Sequence, residues 1–569
     1  MCGIHASVTR GVERARVSDD LTRCLACRGP DHLGNFQETV QLEGSAPITL
    51  SFTSTVLALR GDHVTPQPFR DDVGGSVFCW NGEAWRVDGG ALDGNDGELI
   101  FARLEGARAT ASSSEEAVLG VLRAIEGPFA FLFFDRASSK VYYGRDRLGR
   151  RSLLQRQDAG LVLASVVGDT DPSWSEVEAD GIYVFDLQTW AEGRDVAGSV
   201  SRYPWLGSSE KDLVLDIGVF NTALPDGEPA PLVPESAAVQ MLRQQLRDSL
   251  ALRVLDIPNP PHSGTELAIT DDARVSVLFS GGLDCTVLAR LASDLLPPDQ
   301  GIDLLNVAFE NPRVAGTRRK DATKSIYEIC PDRVTGRKSF AELVQVCPAR
   351  RWRFVAVNVP YTETLAHRSQ VVSLMYPHRT EMDISISFAL YFAARGVGEA
   401  QAMPSSEPVP YATPARVLLS GLGADELFGG YSRHAVAFER GGYQALVDEL
   451  KLDVGRLGER NLGRDDRIMA HWGREVRFPF LDERLVKWAV ETPAWGKCDF
   501  NHPQTETMVE PAKRVLRLLA EELGMRSVAR EKKRAANMGG SCQIQFGAKT
   551  AKMVSGQSKG TDLILEFAS

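Results

Sequence analysis

The sequence predicts an α/β protein of more than one domain, in which a parallel sheet supports an anion-binding loop. Residues 275–279 form an apolar run typical of a strand that is buried on both faces. Apolar residues then recur at helical spacing over residues 283–291, so a strand is followed directly by a helix. The length of 569 residues exceeds that of one ordinary domain and predicts two to four.

The segment between that strand and that helix has the composition of a phosphate-binding loop. Gly281 and Gly282 would let the backbone approach an anion, while the start of the helix supplies N–H groups and a positive dipole. An ordinary Gly-Gly turn would have the same glycines. Asp284 is unsuited to a bare phosphate pocket but fits a polyphosphate that a magnesium ion bridges to the carboxylate. The five-residue string SGGLD after a buried strand favours the phosphate loop over the ordinary turn.

The string SGGLDC at residues 280–285 resembles the pyrophosphate loop of ATP pyrophosphatases, which split ATP to AMP and pyrophosphate while adenylating a carboxylate or a base. The resemblance implies a Rossmann-like ATP pyrophosphatase domain with ATP and Mg²⁺ as cofactors. It implies ATP and pyrophosphate contacts from Leu278, Ser280, Gly281, Gly282, Asp284, Cys285 and Gly421. Cys285 replaces the usual serine, and since a thiol donates weakly, we expect one weakened pyrophosphate contact.

Composition is average for a soluble globular protein, with 43% hydrophobic and 24% charged residues. The formal net charge of −11 argues against nucleic acid as a partner. One basic run would favour RNA, although such a run is more typical of a solvated face: Arg526, Arg530, Lys532, Lys533 and Arg534. Nine scattered cysteines indicate a reducing compartment, and we expect a cytoplasmic protein with no membrane span or signal segment.

The amino terminus carries a second candidate site. Met1 precedes Cys2 and Gly3, and removal of the methionine would leave a cysteine with a thiol and a free α-amino group. The amine, with an ordinary pKa near ~8, could take the proton of the thiol. Two residues alone would not distinguish this nucleophile from any other early cysteine.

Four further motifs support the nucleophile. Residues 28–31 (RGPD), 58–61 (ALRG), 80–83 (WNGE) and 95–96 (ND) resemble, in order, the signatures of class II glutamine amidotransferases. The resemblance covers about residues 2–186 and implies an Ntn-type αββα sandwich of two antiparallel sheets. The whole chain is then α/β and α+β, and the residues that the resemblance implicates are Cys2, Arg60, Asn81, Gly82, Glu83 and Asp96.

The resemblance also implies a role for each of these residues in glutamine hydrolysis. Cys2 would attack the side-chain amide of glutamine, and the Asn81 amide with the Gly82 N–H would form the oxyanion hole. Arg60 would hold the α-carboxylate through a bidentate guanidinium, a task that suits arginine. Glu83 and Asp96 would hold the α-ammonium group, so all glutamine-binding residues lie in the first hundred positions.

A proline-rich segment separates the two sites. Pro225, Pro229, Pro231 and Pro234 lie in a stretch that cannot form regular backbone hydrogen bonds. We therefore predict a glutamine amidotransferase domain at residues 1–192, a linker at 193–234 and an ATP pyrophosphatase domain at 235–569.

A second glycine-rich motif follows the predicted strand 417–419. The string SGLGADELFGGY at residues 420–431 is similar to the asparagine synthetase signature SGxGxDExFGGY. That family implies that Asp425 shares the magnesium ion with Asp284, and that Lys513 stabilises charge on the α-phosphate. From the residues alone, a lysine on a helix surface is the commoner case, so this role of Lys513 rests mainly on the family resemblance.

Five strings narrow the resemblance to the asparagine synthetase domain-containing protein 1 group: LLNVAFEN, PDRVTGR, NLGRDDR, QFGAKTAKM and KGTD. Leu422 marks the same group, because main synthetases carry there a glutamate that is thought to act as a base for incoming ammonia. A positioned base contributes about 10² to 10⁴ in rate, or roughly 3–5 kcal/mol of barrier. Leucine cannot act as a base, and Glu381, Asp383 and Glu426 are the candidates to replace it.

Three hypotheses follow from the sequence. The first is a glutamine-dependent asparagine synthetase, which adenylates aspartate and releases AMP and pyrophosphate. The second keeps both half-sites but adenylates another carboxylate or a base, or lacks synthetase activity because of Leu422. The third is a non-enzymatic interaction protein on a synthetase fold. The sequence leaves an ammonia tunnel and the oligomeric state open, a homodimer included.

Overall fold

The computed structural model describes residues 2–12, 17–71, 74–110, 114–206, 210–258, 273–311, 325–505 and 508–532. Met1, the strings at 545–553 and 559–562, and the last two residues of the basic run, Lys533 and Arg534, lie outside this part of the chain. The described residues form two antiparallel sheets in the first part of the chain and a mainly parallel sheet in the second.

The first part of the chain is built mostly from strands. In chain order its elements are β1 Gly3–Arg10, α1 Asp19–Arg28, β2 His32–Val40, β3 Ile48–Val56, β4 Phe69–Arg70, β5 Val77–Gly82, β6 Arg86–Val87, β7 Gly90–Ala91, α2 Asp96–Thr110, α3 Ser114–Arg123, β8 Ile125–Glu126, β9 Phe129–Asp135, β10 Lys140–Arg145, β11 Leu154–Gln157, β12 Gly160–Ala164, β13 Ser175–Glu176, β14 Ile182–Asp186, α4 Leu187–Ala191 and β15 Val200–Tyr203.

Two six-stranded antiparallel sheets pack face to face. Their strand orders are β13-β11-β12-β1-β3-β2 and β15-β14-β10-β9-β5-β4. Alternate residues of β1, such as Ile4 and Val8, lie in the same buried cluster as Leu132 and Phe134 of β9, as the twofold period of a strand requires. Helices α2 and α3 cover the outer face of the second sheet, and α1 contacts β1 and β3 of the first. The predicted αββα sandwich is confirmed.

The last strand of the second sheet lies inside the predicted linker. Residues 200–203 form β15, which pairs with β14 in antiparallel register. The boundaries 1–192, 193–234 and 235–569 stay a prediction.

The second part of the chain alternates strands and helices. Its elements are β16 Leu213–Val214, β17 Gly218–Val219, α5 Ala237–Val254, β18 Val275–Leu278, α6 Leu283–Leu295, β19 Ile302–Phe309, α7 Pro331–Val346, β20 Trp352–Val359, α8 Tyr361–Ala366, α9 Arg368–Met375, α10 Glu381–Arg395, β21 Val397–Gln401, β22 Val409–Ala412, β23 Val417–Leu419, α11 Ala424–Phe428, α12 Ser432–Gly455, which is kinked at Gly441 and Gly442, α13 Leu457–Arg460, α14 Leu462–Ala470, β24 Glu475–Arg477, α15 Glu483–Glu491, α16 Arg514–Glu522 and α17 Arg526–Arg530.

A seven-stranded sheet organises this part, with the order β22-β21-β20-β19-β18-β23-β24. Strands β20, β19, β18, β23 and β24 are parallel, and β21 and β22 add an antiparallel edge. The strand predicted at 275–279 is β18, which lies between β19 and β23, so its predicted burial is confirmed. Because β18 and β23 are parallel neighbours, the two glycine-rich loops that follow them leave the same edge of the sheet.

No helix in the described ranges combines the length and the apolarity that crossing a lipid bilayer would require.

Candidate active site

The two acids that follow β18 and β23 meet at Lys513. The Nζ atom of Lys513 lies 2.8 and 2.7 Å from the two carboxylate oxygens of Asp284, and 2.8 Å from Oδ1 of Asp425. Lys513 is buried, so it is not the surface lysine that the sequence alone allowed. Burial alone would lower its pKa, but the two carboxylates outweigh burial and hold the pKa of Lys513 above its usual value.

Glycines allow this close approach. A Cβ atom at Gly421 would lie 2.9 Å from the Cβ of Asp284, and one at Gly430 would lie 1.9 Å from Oδ1 of Asp425. Gly281 has a φ of 80°, and a Cβ there would lie 2.5 Å from the Cα of Gly336 in α7. A side chain at Gly421 would separate the loops that carry the two acids, whereas one at Gly430 would collide with Asp425 and one at Gly281 with α7.

Internal hydrogen bonds shape the predicted pyrophosphate loop. The Ser280 hydroxyl accepts from the Gly282 N–H at 3.3 Å, and the Ser339 hydroxyl donates to the Gly281 carbonyl at 2.7 Å. The Cys285 thiol donates to the Gly282 carbonyl at 3.3 Å, and burial raises the pKa of this thiol. Cys285 therefore remains a neutral thiol that contacts the loop's own backbone.

Leu422, at the position where main synthetases carry a glutamate, packs against apolar residues in the structure. Leu422 is half-buried against the core, and its N–H donates to the Ser420 hydroxyl at 3.3 Å. Of the three acids named as replacements, Glu381 is exposed, and Asp383 caps α10 and pairs with Arg464.

Glu426 is the remaining candidate and lies next to Asp425 in α11. It accepts a hydrogen bond from the Tyr431 hydroxyl at 2.5 Å. Burial raises the pKa of Glu426, and the neighbouring Asp425 carboxylate adds to this increase. A carboxylate with a raised pKa is a better base than an ordinary one, so Glu426 has the chemistry that Leu422 lacks.

The amino-terminal site is built around Cys2, which is buried. The backbone nitrogen of Cys2 donates to Oδ1 of Asn81 at 3.0 Å, and the Asn81 amide nitrogen lies 3.5 Å from the Ser165 hydroxyl. Gln67 Nε2 lies 3.8 Å from the Cys2 sulfur. Burial raises the pKa of the Cys2 thiol, so a base is needed to form the thiolate.

The three predicted glutamine-holding residues lie together. Arg60 donates to the carbonyls of Ala84 and Leu92 at 3.2 and 2.8 Å and lies 3.5 Å from Glu83. Asp96 accepts from the Ala84 N–H at 2.8 Å, which fixes its carboxylate beside the strand end that carries Gly82 and Glu83. Burial raises the pKa of both Glu83 and Asp96.

Residues from the second part of the chain complete this site, and the sequence did not predict them. Arg477 in β24 donates to Glu83 at 3.1 Å across a separation of 394 residues. Arg28 donates to the Cys2 carbonyl at 3.2 Å and to Asp466 at 2.8 Å. Arg477 begins the string RFPFLD at residues 477–482, and Asp466 lies in the string NLGRDDR at residues 461–467.

Comparison with known proteins identifies the family of this chain. The glutamine amidotransferase domain profile matches residues 1–170, and the asparagine synthase profile matches residues 438–555. Asparagine synthetase domain-containing protein 1 of Mus musculus is 32% identical over 99% of this chain and 99% of its own length. The chain belongs to the asparagine synthetase domain-containing protein 1 family. The predicted family is thus confirmed.

Other members of the asparagine synthetase domain-containing protein 1 family show similar relationships. The Bos taurus protein is 33% identical over 99% of this chain and 97% of its own length. Asparagine synthetase domain-containing protein YML096W of Saccharomyces cerevisiae is 34% identical over 95% of this chain and 90% of its own length. Among solved structures, a glutamine phosphoribosylpyrophosphate amidotransferase from B. subtilis covers 56% of this chain and 68% of its own, with 14% identity and a TM-score of only 0.26.

Proposed function

We propose that this protein is a glutamine-dependent ligase of the asparagine synthetase type. Cys2 hydrolyses glutamine to release ammonia, and a second site uses ATP to adenylate a carboxylate, with aspartate as the first candidate. Ammonia then displaces AMP to form the C–N bond. One observation carries the proposal: Lys513 Nζ lies 2.7–2.8 Å from two carboxylates that follow adjacent parallel strands.

The donor set at the second site fits magnesium. Asp284 and Asp425 offer carboxylate oxygens, the ligand type that Mg²⁺ prefers, and they would hold the ion that neutralises the polyphosphate of ATP. Lys513 adds a positive charge that would stabilise negative charge developing on the α-phosphate.

The residues around Cys2 support glutamine hydrolysis. Once the initiator methionine is removed, the Cys2 nitrogen is an α-amine held by Asn81 Oδ1, so the amine can accept the thiol proton. The thiolate attacks the glutamine amide and forms a thioester as ammonia leaves, and water then hydrolyses the thioester to glutamate. The Asn81 amide and the Gly82 N–H would face the developing oxyanion.

A changed acceptor is the second candidate function, and Leu422 is the observation that favours it. Removal of a base from the amide-forming step would leave adenylation intact, because Asp284, Asp425 and Lys513 are all present.

If Glu426 replaces the missing base, Glu426→Gln should abolish amide formation while pyrophosphate release continues.

The experiment is pyrophosphate release from magnesium-ATP by the full-length protein, with glutamine and aspartate each added or omitted, and mass spectrometry of the products. We expect release that depends on aspartate and yields asparagine. Release that depends on another carboxylate would favour the changed acceptor. If neither pyrophosphate release nor glutamine hydrolysis is detected, and the thermal transition is unmoved by saturating magnesium-ATP, the proposal is wrong and the scaffold hypothesis stands.

A further inference from the structure

A cavity of about 800 Å³ lies between the two parts of the chain, away from both half-sites. The glutaminase part contributes Arg147 and Glu178, and the ligase part contributes Glu459 from α13. None of the residues placed above in the Cys2 site or the Lys513 site lines it. Its volume is in the range of sites that bind small organic ligands, roughly 300–1,000 Å³.

Arg147 is a cation that the described residues do not neutralise by contact. Its Nη2 donates to the Arg123 carbonyl at 2.7 Å, and its buried Nε has no hydrogen-bond partner. Within the described ranges, no carboxylate forms an ion pair with Arg147, which lies 6.0 Å from the ring centroid of Trp205. The carboxylates of Glu483, Asp216 and Glu126 act on Arg147 without forming an ion pair with it, but burial outweighs them and lowers the pKa of Arg147. An anionic group of a ligand in contact with this guanidinium would therefore be stabilising.

Two other arginines of the wall, unlike Arg147, lie close to carboxylates. Arg145 lies 3.6 Å from Glu176, which also pairs with Arg467 at 2.9 Å, and Arg202 lies 3.2 Å from Asp180. Each of these arginines therefore has a carboxylate partner.

Three acids of the lining remain, and one of them, Asp216, accepts a hydrogen bond from the Leu206 N–H at 3.3 Å. Glu178 and Glu459 are exposed, and neither carboxylate forms a hydrogen bond or an ion pair in the part of the chain that the structure describes. They lie on opposite parts of the protein, one before β14 and the other in α13. Within the described residues, the cavity thus presents one cation, Arg147, and two acids, Glu178 and Glu459, that form no ion pair.

One side of the cavity contains a fixed indole ring and two residues with strained backbone. The indole N–H of Trp205 donates to the Ala179 carbonyl at 3.0 Å, which fixes the ring. Leu215 and Asp216 both line the cavity with left-handed backbone, at φ values of 56° and 51°. A leucine rarely adopts this conformation, and such strain tends to be kept where it positions a side chain for function.

We propose that this cavity binds a free α-amino acid with an apolar side chain. The ligand carboxylate would pair with Arg147, its ammonium group would lie near Glu178 and Glu459, and its side chain would pack against Trp205 and Leu215. This site is separate from the glutamine site and does not depend on the proposed reaction. Because both parts of the chain supply contacts, a bound ligand would hold them together.

The test is binding of L-phenylalanine to the full-length protein by isothermal titration calorimetry. Two analogues separate the charges: the methyl ester lacks the carboxylate, and hydrocinnamic acid lacks the ammonium group. We expect one saturable site for phenylalanine and binding that is roughly tenfold weaker or more for each analogue. Absence of saturable phenylalanine binding, or equal binding of all three compounds, would overturn the proposal.

Variants test whether phenylalanine binds in this cavity. Arg147→Gln, and the double variant Glu178→Gln with Glu459→Gln at two exposed positions, should each weaken binding by a similar factor. Glu439→Gln, an exposed acid of α12 that does not line the cavity, is the matched control and should bind normally. Arg60→Ala should also leave binding unchanged, and loss of binding in Arg60→Ala alone would mean that phenylalanine occupies the glutamine site instead.

Discussion

At the scale of single residues, we expect Lys513 to affect both the stability of the protein and pyrophosphate release, and the two effects can be measured separately. Lys513→Met would leave Asp284 and Asp425, each about a quarter exposed, without their shared cation, so we expect the free energy of unfolding to fall by about 1–3 kcal/mol. Pyrophosphate release should fall by about 10² or more, because charge on the α-phosphate is no longer stabilised. Urea unfolding and the pyrophosphate assay measure the two effects.

Lys338→Met is the matched control for Lys513, because Lys338 is an exposed lysine paired with Glu531. It should change both quantities little. A Lys513→Met variant that releases pyrophosphate at the normal rate would contradict the assigned role.

The contact between Arg477 and Glu83 leads us to expect a pH effect on glutamine binding. Burial and the Glu475 carboxylate raise the pKa of Glu83, whereas Arg477 lowers it. In Arg477→Met the pKa of Glu83 should rise further, so the carboxylate that we propose to hold the glutamine ammonium would form only at higher pH. We expect the acid limb of kcat/KM for glutamine to move to higher pH. An acid limb at the same pH in both proteins would show that Arg477 does not act through Glu83.

At the scale of elements, the loop after β18 depends on Gly281. Gly281→Ala places a methyl group 2.5 Å from Gly336 Cα at a φ of 80°, so we expect a loss of about 1–3 kcal/mol in stability and a smaller thermal shift with magnesium-ATP. Gly120→Ala is the control. A Cβ at Gly120 in α3 meets nothing within 4 Å, so this change should be neutral or stabilise by up to about 1 kcal/mol.

The elements that could be predicted from the sequence are those whose pattern lies within one short segment of the chain. An apolar run ending in glycines predicted β18 and its loop, and the run before SGLGADE predicted β23, so the meeting of Asp284 with Asp425 could be anticipated. The pairing of Arg28 with Asp466 spans 438 residues, and no periodicity carries that information. The strained turn at Leu215 and Asp216 was equally hidden, because a leucine rarely adopts left-handed backbone.

At the scale of the whole molecule, buried ion pairs join the two parts of the chain. Arg28 with Asp466 and Arg151 with Glu475 are both almost fully buried, and Arg467 lies 2.9 Å from Glu176. Such pairs add little net stability when intact, but removal of one partner costs about 3–5 kcal/mol, because a charge is left buried. The relative position of the two parts therefore depends on complete pairs.

Glu176 gives this interface a defined pH dependence. Burial alone would raise its pKa, but Arg467 and Arg145 together lower it well below the ordinary value. Its folded-state pKa is thus below its unfolded value of about 4.3, so its stabilising contribution is complete above that pH and is lost as the pH falls below it.

We therefore expect the free energy of unfolding to fall less steeply with acid in Glu176→Gln than in the wild type. Glu439→Gln, an exposed acid, should follow the wild-type curve. Urea unfolding at a series of acidic pH values measures this, and parallel curves for wild type and Glu176→Gln would contradict it.

The central claim is that nitrogen released at Cys2 is used at the ATP site of the same protein. The most direct measurement supplies glutamine labelled with ¹⁵N in its side-chain amide, together with magnesium-ATP, aspartate and unlabelled ammonium, and follows the label by mass spectrometry. We predict that the wild type yields ¹⁵N-labelled asparagine, and that Cys2→Ala yields only unlabelled asparagine from the added ammonium. Hydrolysis of glutamine with no labelled amide product from any tested carboxylate would contradict the account.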